Sequence, residues 1–120
     1  MKILFKRIYD EPAKEDGFRI LADRLWPRGM AKEKAQIDLW AKDIAPTHEL
    51  RKSYHAGDLS FSAFESRYTE ELNANPQADD FLKMLKAYPT ITLLTAAKDI
   101  SKAALPALSD FISNRTKATE

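Results

Sequence analysis

The run TITLLTAA, at residues 90–97, constrains the fold of this 120-residue chain more than any other segment. It follows a Tyr-Pro break and is almost continuously apolar or β-branched. A strand with this pattern has both faces buried, which is typical of the interior of a parallel sheet. The run therefore predicts a central strand, and other elements must cover both faces of its sheet.

Two earlier segments show the alternation of apolar and polar side chains that indicates strands. They are KILFKRIYD at residues 2–10 and FRILADRLW at residues 18–26. In the second segment, Phe18, Ile20 and Ala22 share one face, and Leu21 lies on the other. A further segment, QIDLWAKDIAP, fits either a strand or a short helix, and we expect a strand that ends near Pro46.

Beyond Pro46 the hydrophobic period changes to that of helices. Thr47 is suited to accept a hydrogen bond from a first-turn amide of HELRKSYH, and Ser60 is suited to cap FSAFESRYTEELNA in the same way. Asn75 predicts a cap for the next helix, with a proline following it at a position that tolerates one. The last helix is expected to begin near Leu105, because an earlier start would place Pro106 in its interior.

Strands, then helices, then a buried strand and a final covering helix are typical of the α/β class. We predict a single layered domain with a mostly parallel central sheet flanked by helices. A chain of 120 residues is long enough for one core but short for two. We expect residues 1–115 to form the domain and residues 116–120 to form a short C-terminal tail.

The composition excludes several classes of function. The 19 basic and 18 acidic residues leave a net charge of +1, so no overall field attracts nucleic acid, which is not an expected partner. The chain has no cysteine and no long apolar run, so disulfides, thiolate chemistry and membrane insertion are not expected, and we place it in the cytoplasm. Its three glycines form no phosphate-binding loop, so no cofactor is predicted.

The segment DRLWPRG, at residues 23–29, contains the strongest candidate for a binding site. Ligands of open α/β sheets bind beyond the carboxyl ends of the strands. If the second and last strands are parallel, Arg24, Trp26 and Arg28 leave the sheet at the edge where Lys98 follows residues 90–97. Because arginine recognises carboxylate or phosphate with two parallel hydrogen bonds, this corner predicts an anion site.

A structural interpretation of the same corner is equally open. Trp26 can plug the end of the sheet while Arg24 forms an ion pair with Asp23 or Asp43. The two histidines, His48 and His55, are seven residues apart and so share a helix face, but a metal needs a third well-placed ligand. No metal site is predicted.

Four segments in this order, KRIYD, DGFRILADRLWPRG, DLWAKDIAPTHELRK and LLTAAKD, resemble the YeaO-like proteins, a bacterial family of unknown function. The resemblance runs from about residue 6 to residue 112 and implies a cytoplasmic α/β domain without an established activity. The chain departs from the family at Lys102, Ala103 and Ala104, where relatives often carry an Asn-His-type polar pair. The positions that match the family pattern are Arg24, Trp26, Arg28, Trp40, Asp43, Pro46, Arg51, His55, Tyr68, Lys98 and Asp99.

Two hypotheses of function follow. In the first, the protein binds a small anionic molecule and is either a binding protein or an enzyme. The ligand-binding candidates are Arg24, Trp26, Arg28, Arg51 and Lys98, and the acid/base candidates are Asp43, His55 and Asp99. In the second, the corner docks a protein or an RNA without catalysis. A concave pocket favours the first hypothesis, and a flat or convex exposed patch favours the second. The oligomeric state is not indicated.

Overall fold

The computed structural model describes residues 1–117 of the chain. Within this range the chain forms four strands and five helices, with three consecutive helices between the third and fourth strands. Short 3₁₀ helices occupy Lys14–Asp16 and Ile100–Lys102. The main elements are β1 (Lys2–Arg7), β2 (Phe18–Leu21), α1 (Lys32–Ala35), β3 (Leu39–Trp40), α2 (His48–His55), α3 (Phe61–Ala74), α4 (Gln77–Leu85), β4 (Thr90–Thr95) and α5 (Leu105–Lys117).

The four strands form one parallel sheet in the order β1-β4-β2-β3. β4 lies between β1 and β2, and its residues from Ile91 to Thr95 are all buried. The predicted central strand and the predicted α/β class are both confirmed. Because β4 is the last strand within residues 1–117, it must enter between two strands that precede it in sequence.

The two faces of the sheet are covered differently. Helices α2–α5 pack against Ile20, Ile91 and Leu93 and form the larger core with them. On the opposite face, Leu21 and Leu94 pack against the segment between β2 and β3, which includes α1. The alternation predicted for β2 is therefore confirmed.

The expected third strand is much shorter than predicted. β3 contains only Leu39 and Trp40, and the chain then turns instead of continuing extended to Pro46. The amide of Ile44 donates to the carbonyl of Ala41, as in a turn. Ala41, Ile44 and Ala45 are all buried, and this i, i+3, i+4 spacing fits a helical turn and not an extended strand.

The predicted caps at Thr47 and Ser60 are confirmed, α4 begins at Gln77, one residue after the predicted start at Pro76, and α5 begins at Leu105 with Pro106 in its first turn. α5 continues through residues 116 and 117, and residues 118–120 of the predicted tail lie outside the described part of the chain. The capping hydrogen bonds are donated by the Leu50 amide to Thr47 Oγ1 (3.3 Å), by the Ala63 amide to Ser60 Oγ (3.1 Å) and by the Gln77 amide to Asn75 Oδ1 (2.9 Å).

A buried ion pair fixes the beginning of β2. The carboxylate of Asp16 accepts hydrogen bonds from Arg19 Nη1 at 2.5 Å and from Lys6 Nζ at 3.2 Å. The Arg19 guanidinium also donates to the carbonyls of Ala35 and Gln36 at the end of α1. Burial raises the pKa of Asp16, but its hydrogen bonds, with the Ala13 amide and with Lys6 and Arg19, outweigh that effect and lower the pKa.

Replacing Asp16 should leave the Arg19 guanidinium buried without its counter-ion. We expect Asp16→Asn to destabilise the protein by about 3–5 kcal/mol in urea unfolding at pH 7, against about 0.5 kcal/mol or less for the exposed control Glu15→Gln. A lowered pKa means that the stabilisation is present above the ordinary aspartate pKa and is lost as the pH falls through the folded-state value. The difference between wild type and Asp16→Asn should therefore shrink in acid, and a difference that stays constant from pH 7 to pH 2 would contradict the ion pair.

Gly17 adopts φ +65° immediately before β2 and lies against the backbone of β4. A Cβ atom at this position would be 2.3 Å from the carbonyl oxygen of Thr90, closer than real contacts allow. Gly57 also has a positive φ, +85°, but no atom lies within 4 Å of its Cβ position. A side chain at Gly57 would therefore meet only backbone strain, whereas a side chain at Gly17 would also collide with β4.

Gly57→Ala should cost only the strain of a left-handed residue, roughly 1–2 kcal/mol. Gly17→Ala should cost at least ~1–3 kcal/mol more, because its Cβ would push β2 away from β4 and because its φ/ψ of +65°/−134° lies outside the left-handed region. Urea unfolding of the two variants measures the difference directly. Equal destabilisation would show that β2 and β4 are not in close contact at Gly17.

Candidate functional site

A pocket of about 280 Å³ lies beyond the carboxyl ends of β2 and β4, which are neighbours in the sheet. This is the position at which open parallel sheets bind ligands. We call it the strand-end pocket. Its lining residues are Ala22, Asp23, Arg24, Pro46, Arg51, Tyr54, His55, Phe64, Thr95, Ala96, Ala97, Lys102, Ala103 and Ala104.

Asp23 joins the ends of the two strands that form the base of this pocket. Its Oδ1 accepts a hydrogen bond from the Thr95 hydroxyl, and its Oδ2 accepts one from the Ala96 amide, both at 2.8 Å. The carbonyl of Asp23 accepts a hydrogen bond from Trp40 Nε1 at 2.7 Å. Main chain and side chain are thus both fixed, so the carboxylate has a defined position.

The carboxyl of Asp23 has a raised pKa. Burial raises its pKa above the ordinary aspartate value, and the bonds from Ala96 and Thr95 and the positive charge of Arg51 offset this only in part. Its two donors are an amide and a hydroxyl, both neutral, so no ion pair compensates for its burial. A carboxyl with a raised pKa beside a pocket is a candidate for ligand binding or proton transfer.

Arg51 provides a half-buried cation of the pocket, whereas Lys102, which also lines it, is exposed. Arg51 lies one turn into α2, whose start is held by Thr47, and the Thr47 amide and hydroxyl both donate to the carboxylate of Glu71. The Arg51 side chain is half-buried, and its guanidinium has no hydrogen-bond acceptor or ion-pair partner among residues 1–117. It interacts with Asp23 through charge alone. Its donors remain available to a bound molecule.

Aromatic and small apolar side chains form most of the remaining wall. Tyr54 stacks on Phe64 with ring centroids 4.3 Å apart, and its hydroxyl donates to the carbonyl of Lys102 at 2.8 Å. This bond ties α2 to the segment before α5. His55 is exposed at the rim.

Arg24 lines the pocket, but its donors are used within the protein. Nε donates to the carbonyl of Pro46 at 2.9 Å, and Nη2 donates to that of Ala45 at 3.0 Å. The expected ion pair with Asp23 or Asp43 is wrong, because the guanidinium satisfies these two carbonyls at the approach to α2. Arg24 therefore holds α2 over the pocket.

The Trp-Pro-Arg corner lies outside the pocket lining. Trp26 Nε1 donates to the carbonyl of Met30, and its ring packs edge-on against Trp40 at 5.3 Å, within the smaller core. The carbonyl of Arg28 accepts a hydrogen bond from the Tyr9 hydroxyl, while the Arg28 side chain is exposed. The corner closes one face of the sheet and does not project its indole into the pocket.

Three further candidates also lie outside the lining. Lys98 is exposed beyond β4. Asp99 accepts hydrogen bonds from the hydroxyl and amide of Ser101, which lower the pKa of its carboxyl. Asp43 is exposed, and its carbonyl accepts a bond from Asn75 Nδ2. Of the eight predicted site residues, the strand-end pocket brings together Arg24, Arg51 and His55.

Sequence reasoning missed the carboxylate at the centre of the pocket. Asp23 and Thr95 lie at the ends of two predicted strands. Because ligands of open α/β sheets bind beyond strand ends, these positions could have identified both residues. Within residues 1–117, no three metal-ligating side chains converge. No helix in that range is long and apolar enough to span a bilayer.

Comparison with known proteins places the chain among uncharacterised sequences. A family model described as the inactive DUF488-N3 subclade matches residues 2–120. The uncharacterised protein YeaO of Escherichia coli is 38% identical over 112 residues, which cover 93% of this chain and 97% of that one. The uncharacterised protein Rv3073c of Mycobacterium tuberculosis is 32% identical over 114 residues, covering 95% and 96% respectively. No solved structure matches the chain.

The electrostatic coupling between Arg51 and Asp23 can be tested by titration. We expect Arg51→Gln to raise the pKa of Asp23 further, because the guanidinium charge favours the carboxylate. Carbon-13 NMR of the carboxyl group measures this pKa, and Arg28→Gln serves as the control outside the pocket. Since the folded-state pKa is raised, Asp23 should reduce stability as the pH rises from its ordinary to its folded value. An ordinary pKa in the wild type, or no change in Arg51→Gln, would contradict the arrangement.

Proposed function

The chain belongs to the YeaO-like proteins of the inactive DUF488-N3 subclade, and on this premise we propose that its strand-end pocket binds a small organic anion without converting it. Arg51 is the counter-ion in this proposal. The observation that carries it is the half-buried guanidinium of Arg51, which faces the pocket with no acceptor among residues 1–117.

A half-buried guanidinium without a partner is unusual, because desolvating a charge is costly unless hydrogen bonds compensate. Arg24, in the same pocket, uses its donors on two backbone carbonyls. Arg51 keeps its planar set of donors, which matches a carboxylate or phosphate with two parallel hydrogen bonds. A bound anion would supply the acceptors that the protein lacks.

The pocket is the size of a small metabolite. Its volume of about 280 Å³ is close to the lower end of the range for ligand pockets, about 300–1,000 Å³. Apart from a few polar groups, its walls consist of Phe64, the Tyr54 ring, Pro46 and five alanines. An organic anion with an apolar part fits this lining better than inorganic phosphate does.

Binding without conversion is supported by the wall beside α5. The family resemblance implies an Asn-His-type polar pair in many relatives at a place where this chain has Lys102, Ala103 and Ala104, and these three residues line the pocket. Ala103 and Ala104 offer neither proton transfer nor nucleophilic attack, and Lys102 is exposed. The description of the subclade as inactive agrees with this.

The alternative function, docking of a protein or RNA at the corner, is supported by one observation. Leu25 is 62% exposed and stands close in sequence to the exposed Arg28. The indole of Trp26 is packed against Trp40, however, so the aromatic ring that would anchor a partner is not available. We therefore favour the pocket over the corner.

Thermal unfolding in the presence of small organic anions tests the proposal. We would screen straight and branched carboxylates of four to ten heavy atoms, with inorganic phosphate for comparison. A ligand at 100 times its dissociation constant adds about 2.7 kcal/mol of stability, which raises Tm on the order of 10 °C. Arg51→Gln should weaken binding of the best carboxylate at least tenfold, because hydrogen bonds to a charged group contribute about 1.5–3 kcal/mol.

The matched control is Arg28→Gln, which removes an exposed arginine at the corner. It should bind the best carboxylate as the wild type does. If no organic anion stabilises the wild type, or if Arg51→Gln is stabilised equally, the proposal fails. If Arg28→Gln alone loses binding, the site is at the corner.

A further inference from the structure

We propose that the molecule held in the strand-end pocket is zwitterionic, an α-amino acid with an apolar side chain of up to about leucine size. This inference rests on the proposed anion-binding function and assigns a second polar contact, between the ligand ammonium group and Asp23. The geometry that carries it is one half-buried, unpaired cation, Arg51, and one incompletely paired carboxylate in a single pocket, whose other cation, Lys102, is exposed.

Some polar groups of the pocket already have hydrogen-bond partners within the protein, and others can still bind a ligand. The Tyr54 hydroxyl donates to the carbonyl of Lys102, and the Thr95 hydroxyl donates to Asp23 and accepts from the Ala97 amide at 3.2 Å. These two hydroxyls are therefore occupied. Each oxygen of Asp23 accepts one hydrogen bond from the protein, and a carboxylate has about four acceptor positions. Asp23 can thus accept from a ligand while Arg51 donates to it.

A ligand that is only an anion would meet two opposite effects. Arg51 would attract it, while the half-buried carboxylate of Asp23 would repel it whenever ionised. A ligand that also carries an ammonium group removes the repulsion and supplies Asp23 with a charged donor. Such a donor would also lower the pKa of Asp23, which burial otherwise raises.

The size and lining of the pocket define the rest of the ligand. A pocket of about 280 Å³, close to the lower end of the range for ligand pockets, favours an amino acid no larger than about leucine. The two polar groups of an α-amino acid are attached to one carbon, so its side chain is free to lie against Phe64, Ala103 and Ala104. These residues offer apolar contact and no hydrogen-bonding group in their side chains.

Matched ligands isolate the contribution of the ammonium group. Calorimetric titration at pH 7 would compare leucine with 4-methylpentanoate, which lacks the amine, and with 3-methylbutylamine, which lacks the carboxylate. The smaller pair alanine and propionate and the larger pair phenylalanine and 3-phenylpropanoate would test size. We expect leucine to bind at least tenfold more tightly than 4-methylpentanoate, and the amine alone to bind more weakly than either.

A variant at Asp23 assigns the effect to that residue. In Asp23→Asn the preference for leucine over 4-methylpentanoate should disappear, while in the exposed control Asp99→Asn it should persist. Circular dichroism would establish that Asp23→Asn is folded. If it does not fold, the comparison of ligands in the wild type still decides the inference, because it requires no variant.

The outcomes separate this inference from the proposed function. If 4-methylpentanoate binds as tightly as leucine, the zwitterion is excluded and the anion site remains. If 3-methylbutylamine binds as tightly as leucine, Arg51 holds no anion and both proposals fail. If no compound of the three pairs binds, the amino-acid ligand is excluded, and the carboxylate screen with Arg51→Gln decides the anion site separately.

Discussion

The insertion of β4 between β1 and β2 is the constraint on which the other features of this protein depend. A strand in this position has neighbours on both edges and needs cover on both faces, and its residues from Ile91 to Thr95 are all buried. The chain beyond the strand is also held from two sides. From β1, Arg7 donates to the carbonyls of Ala96 and Ala97, and from beyond β2, Asp23 accepts from Thr95 and Ala96. The base of the strand-end pocket is thereby fixed in position.

Two aspartates at opposite ends of β2 show how the same residue type acquires different properties. Asp16 precedes the strand and is surrounded by Lys6 and Arg19, so it remains ionised, with a lowered pKa. Asp23 follows the strand and has neutral donors and one uncoordinated cation, Arg51, so burial dominates and its pKa is raised. The amino end of β2 is therefore stabilised by a cluster of paired charges. At its carboxyl end, Asp23 can accept further hydrogen bonds and Arg51 can donate them, and both residues line the pocket.

Local patterns in the sequence predicted the fold better than the site. The alternation in β2, the apolar run in β4 and the cap at Thr47 depend on neighbouring residues, and each is confirmed. The role of an arginine depends instead on what the fold brings to it. Arg24 meets two backbone carbonyls and Arg51 meets none, and sequence spacing carries no information about that difference. The third strand was overestimated for a similar reason, because the turn after Trp40 is stabilised by burial of side chains against helices.

The corner at residues 23–29 was predicted to contact the ligand, and of its residues only Asp23 and Arg24 line the strand-end pocket. Asp23 and Arg24 are adjacent in sequence, yet one is bound to the end of β4 and the other to the carbonyls before α2. Consecutive residues therefore connect the base of the pocket to the helix that carries Arg51. Trp40 donates to the carbonyl of Asp23, and Trp26 packs against Trp40, so the two indoles support this connection from the opposite face of the sheet. The distance between a cation and a carboxylate determines which ligand can bridge them, so in the proposed function the corner would act on binding by setting the separation of Arg51 from Asp23.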